Sequence, residues 1–119
     1  MNQEAIETTE QISVRRDVYD PFELKQTGNS AVATKVQRIF DTDELVTCKA
    51  FVFEEEGTWR ATFVLDSNAA GDSTYHAQQE RDTLRAQTFE NGQAAMDAAV
   101  DAVESGFEAL ASAREDDGD

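Results

Sequence analysis

The chain is poor in the residues that catalytic and metal sites are built from. One cysteine, Cys48, and one histidine, His76, stand among 119 residues. A lone thiol excludes an internal disulfide framework and fits a reducing compartment. It also leaves no paired-cysteine metal site, and neither a phosphate-cradling glycine loop nor a His-Glu zinc pattern occurs. No apolar run approaches the ~20 residues of a membrane span. The opening Met1–Glu10 is acidic rather than basic and then apolar, which excludes a secretory leader there and points to the cytoplasm. Lysine is scarce too: Lys25, Lys35 and Lys49 against seven arginines.

Acid is what the chain has in plenty. Twenty-five Asp and Glu against ten basic residues give a net charge of −15. Acidic chains that stay disordered have few aromatics, whereas this one carries seven Phe, two Tyr and one Trp and is 39% apolar. A packed core is therefore available, and 119 residues suit one domain burying about two thirds of its unfolded surface. Surface repulsion of this size is cheap only where salt screens it, over about 3 Å at 1 M. With little Lys and much Ala, Asp, Glu and Thr, the composition resembles that of cytosolic proteins of halophilic archaea. The charge is uneven: residues 11–89 hold 13 acids and 9 bases, a balance of −4, and residues 90–119 hold 9 and 1, a balance of −8.

The strongest periodic signal lies in that acidic end. From Asn91 to Ala113, Met96, Val100, Val103, Phe107 and Leu110 recur at the spacing of one helical face. Asn91 stands where an N-cap belongs, and Arg114 where the C-terminal dipole favours a cation. An acidic row, Asp97, Asp101, Glu104 and Glu108, flanks the stripe on one side. On the other side runs a row with almost no side chain: Ala95, Ala99, Ala102, Gly106, Ala109 and Ala113. Glycine costs about 1 kcal/mol relative to alanine inside a helix, so Gly106 asks for a reason. Close approach of a second helix in a two-fold homodimer is the reason this pattern suggests.

The middle reads as strands. Ile12–Tyr19 alternates and stops at Asp20-Pro21, and Phe22–Gln26 extends it past a bend. Thr27–Ser30 is a turn, and Ala31–Phe40 a second strand. Leu45–Phe53 and Trp59–Leu65, joined by Glu54–Gly57, form the clearest hairpin. The first of these arms is apolar on both sides, as a central strand is, and Glu54–Glu56 read as its solvated tip. Thr74–Asp82 is loop or edge strand, and Thr83–Phe89 a last short strand. The expected fold is α+β: an antiparallel meander of four or five strands with one long C-terminal helix packed on one face. It spans residues 12–114, with acidic disordered tails at 1–11 and 115–119.

Candidate chemistry is thin. Asp66–Gly71 begins like a calcium loop, but Ala70 and Ala77 stand where oxygen ligands are required. His76 has Glu80 four residues on, a pair suited to acid–base work but without a nucleophile in sight. Neither a cofactor nor a metal is expected, and catalysis gets no positive support. Lys35, Arg38, Lys49, Arg60 and Arg85 all fall on expected strands near Phe40, Phe51, Phe53 and Trp59. Interleaved cations and aromatics on a sheet are how single-stranded nucleic acid is gripped. The meander-then-helix order also resembles the single-stranded-DNA-binding coactivator fold, in topology only. The expectation is a non-enzymatic, salt-adapted interaction or regulatory protein acting as a homo-oligomer. Single-stranded nucleic-acid binding through a basic, aromatic sheet face is the alternative.

Overall fold

The structure is a computed structural model and describes residues 11–14, 22–68 and 75–117. Its order is β1 (Glu23–Thr27), β2 (Ser30–Arg38), β3 (Leu45–Glu55), β4 (Thr58–Ser67), α1 (Tyr75–Arg85) and α2 (Gly92–Asp117). The four strands form one antiparallel sheet in sequence order. This is the α+β meander with a long C-terminal helix that the pattern predicts. Among the described residues no helix is long and apolar enough to cross a membrane.

Tight turns fix the register. Between β3 and β4, Glu56 and Gly57 both have positive φ, as a two-residue type I′ turn requires. Between β1 and β2, Gly28 takes positive φ at the first central position, where a type II′ turn puts glycine. From there Ala31, Val52 and Ala61 align across the sheet, as do Ala33, Ala50 and Phe63. All six are buried, and with Val46, Cys48 and Trp59 they make the covered side. Onto it α2 lays Met96, Val100, Val103, Phe107 and Leu110, each buried. Asn91 caps that helix, its Oδ1 accepting from the Ala94 amide at 2.8 Å.

Three expectations change. The described part of Thr74–Asp82 is neither loop nor edge strand and Thr83–Phe89 is not a strand, since Tyr75–Arg85 is helix α1 and, of the latter, only Phe89 pairs with the sheet, at Trp59. Leu84 is the one fully buried side chain described on α1, so almost no helical period is written there. The helix is held through polar contacts: Arg81 Nε donates to the Phe63 carbonyl at 2.9 Å, and its guanidinium lies 5.6 Å from the Phe63 ring centre. Next, α2 runs to Asp117, three residues into the stretch expected as a tail. Finally, residues 11–14 are irregular rather than strand. Ile12 is nonetheless buried, and Ser13 exchanges hydrogen bonds with the Gln93 side chain across the start of α2. The remainder of the expected first strand, the N-terminal tail at 1–10 and Ala69–Gly71 of the calcium-like loop lie outside the described residues.

Candidate interaction face

Among the described residues, no helix or strand packs on the side of the sheet away from the helices. Same-face neighbours follow from the register. One row across the sheet is Lys25, Val32, Phe51, Thr62. The next toward the hairpin tips is Thr27, Ser30, Phe53, Arg60, and on the other side comes Glu23, Thr34, Lys49, Val64. Beyond these lie Val36, Thr47 and Asp66, and then Arg38 opposite Leu45. Four of these apolar side chains stay well exposed: Val36 at 53%, Leu45 and Phe53 at 38%, Val64 at 37%. Phe40, just past the end of β2, is 79% exposed. A groove of about 370 Å³ opens over Lys25, Thr27, Ser30, Val32, Phe51 and Phe53.

The basic residues divide between the two sides of the sheet. Lys35 is on the covered side, 8% exposed, with Nζ 3.9 Å from Glu104 Oε2 and 4.7 Å from the Phe22 ring centre. It belongs to the core of the domain and to no nucleic-acid face, contrary to the sequence expectation. β2 alternates, so an odd-numbered residue sharing the parity of Ala31 and Ala33 has to point inward. Arg38, Lys49 and Arg60 are on the open side. Arg60 is committed at the edge: Nη2 donates to the Arg85 carbonyl at 2.7 Å, and Nη1 lies 3.9 Å from Glu55. It thus caps the C-terminus of α1, satisfying a carbonyl with no intrahelical partner. Arg85 lies on that helix end, off the sheet.

Lys25 was missed by sequence reasoning. The signal was present, since a two-residue turn at Gly28-Asn29 sets Lys25 opposite Val32 and on the face of Phe51. Four of the five strand-borne cations therefore share the open face: Lys25, Arg38, Lys49 and Arg60. Lys25, Arg38 and Lys49 make no ion pair among the described residues. That is unexpected in a chain of −15, where 25 carboxylates stand against 10 cations.

The small-residue row of α2 is placed differently from expectation. Ala95 and Ala99 are 0% exposed and Gly106 is buried, all within the molecule. A Cβ on Gly106 would stand 3.1 Å from Leu65 Cδ1 and 3.3 Å from Phe63 Cε1 of β4. Close approach is indeed what the row permits, but to the sheet rather than to a second helix. Ala102 and Ala109 are half-buried and only Ala113 is exposed, so the six cannot form one continuous dimer seam.

His76 falls on α1, its side chain outside those described. Glu80 lines a groove of about 630 Å³ between the two helices, and its Oε1 is buried without a hydrogen-bond partner among the described residues. Cys48 is 1% exposed beneath α2, a small apolar side chain in effect. Among the described residues no three His, Cys, Asp or Glu side chains are grouped to hold a metal ion. Comparison with protein-family models, curated proteins and solved structures gives no match.

Proposed function

We propose that this is a small, salt-adapted, non-enzymatic interaction protein whose open sheet face receives a macromolecular partner. One observation carries the reading. The face opposite the helices combines exposed Val36, Leu45, Phe53 and Val64 with Lys25, Arg38 and Lys49, which make no ion pair among the described residues. Apolar side chains left exposed beside polar ones on one sheet face give a partner surface to bury. The acids, by contrast, crowd onto α2, which holds seven against the single Arg114. The protein is thus two-sided, with a helical side that keeps it soluble in salt and a sheet side suited to contact.

A photo-crosslinking amino acid in place of Val36, compared with one in place of Asp97 on the exposed flank of α2, tests this in the cell of origin. Macromolecular adducts are expected from position 36 and few from position 97. Equal yields from the two positions would reject the reading.

A further inference from the structure

Resting on that reading, we infer that the partner of the open face is single-stranded nucleic acid, with bases stacked on Phe51 and Phe53 and phosphates held by Lys25 and Lys49. The cations supply the first argument. On the covered side of the sheet, Lys35 and Arg81 are satisfied within the molecule, by Glu104 and Phe22 and by the Phe63 carbonyl and ring. On the open side, neither Lys25 nor Lys49 makes an ion pair among the described residues, although the chain carries 25 acids. An external anion complements them.

The layout of the face then selects which anion. Phe51 and Phe53 are successive same-face residues of the central strand β3, about 6.6 Å apart along it. Lys49 continues that line, and Lys25 stands two strands away in the Phe51 row, across Val32. Two phenyl platforms are therefore bracketed by ammonium groups, with the Thr27 and Ser30 hydroxyls beside Phe53. Aromatic platforms and a cationic track are what an unpaired strand with splayed bases needs. A protein partner fits less well, because the centres of protein interfaces are depleted of charge. Here Thr34 and Lys49 cross the middle of the sheet and separate Phe51 and Phe53 from Val36 and Leu45. Stacking is also the term that salt does not screen, which matters for a polyanion meeting an acidic protein at high ionic strength.

Fluorescence anisotropy with an oligothymidylate and an oligouridylate of about 12 nucleotides, and with an oligoglutamate peptide as a second polyanion, is the test. Wild type is expected to bind the oligonucleotides and not the peptide. Phe51→Ala and Phe53→Ala should each weaken binding about 10-fold. Lys49→Gln should lower the salt slope by about one phosphate contact while leaving the fold intact. Circular dichroism of each variant separates lost binding from lost folding. Peptide binding equal to that of the oligonucleotides would overturn the inference in favour of an acidic protein segment. So would oligonucleotide binding undiminished in the folded Phe53→Ala protein, or none at all by wild type. Protein adducts from position 36 without oligonucleotide binding would leave the broader interaction reading standing and remove this one.

Discussion

The two faces of the sheet alternate residue by residue along the same strands, yet they follow different rules. On β3, Val46, Cys48, Ala50 and Val52 are essentially closed to solvent. Their neighbours Thr47, Lys49 and Phe51 are partly open, and Leu45 and Phe53 are exposed. On the covered face, small and large residues interlock with α2, whose Gly92 and Gly106 stand against Trp59 and Phe63, and Lys35 has its partner in Glu104. The open face holds phenylalanine beside lysine, with little in the molecule to explain either. What differs is the surroundings of each side chain: packed protein on one side, solvent-accessible surface on the other.

Substitutions sharpen the contrast. The largest effect belongs to the covered face, where Phe63→Ala or Phe107→Ala should cost about 3–5 kcal/mol, read as a fall in urea midpoint. If either costs less than Phe53→Ala, the assignment of the two faces is reversed. Gly106→Ala comes next. Helix propensity alone would gain about 1 kcal/mol, but the new methyl meets Leu65 and the immobile Phe63 ring. Overpacking of that kind costs about 1–3 kcal/mol. A net loss of about 1 kcal/mol is expected, and a raised thermal midpoint would mean that the row faces open space after all.

Smaller effects follow from charge. Asp97, Asp101, Glu104 and Glu108 lie on successive turns of α2, and like charges so spaced repel by a few tenths of a kcal/mol per pair. Thermal midpoints should rise between about 0.05 M and 2 M KCl as screening tightens. Neutralising Asp97, Asp101 and Glu108 together should recover about 1 kcal/mol at the lower salt and flatten that rise. Midpoints that ignore salt would contradict salt adaptation. Smallest of all is Phe53→Ala, expected to change stability by no more than about 0.5 kcal/mol, as a surface substitution does. A larger loss in the urea midpoint would show that Phe53 belongs to the fold rather than to a partner.

How much of this was legible beforehand depends on whether a period was written. The stripe of α2 and the β3–β4 hairpin were, because burial on one side imposes a repeat of 3.6 or 2. Helix α1 was not, since among its described side chains only Leu84 is buried, and two further anchors are Arg81 on the Phe63 carbonyl and Arg60 on the carbonyl of its last turn. Lys35 was assigned to the wrong side for a related reason. Aliphatic length lets a lysine stem lie in a core while its charge finds Glu104, a residue nearly seventy positions later in the chain. Gly106 was legible as a close contact, but not the identity of what it approaches, which only the crossing of α2 over β4 decides.

The contact at the start of α2 bears on the order in which the molecule assembles. Gln93 offers its side-chain amide to Ser13 like a short piece of strand, giving the N–H···O pair in both directions at 2.9 Å. Beside it Gly92 leaves room for Ile12 and Trp59, which a methyl group would approach to 2.7 and 3.0 Å. These bonds join residues 80 positions apart, so the entropy of closing that loop falls on very few contacts. Both hairpins and α2 can form from nearer neighbours first. The Ile12 latch, tied also by its amide to Gln26 Oε1 at 3.0 Å, is expected to dock last and open first. Amides at 12 and 13 should exchange with deuterium far faster than those of β3, by sub-global opening that leaves the sheet intact.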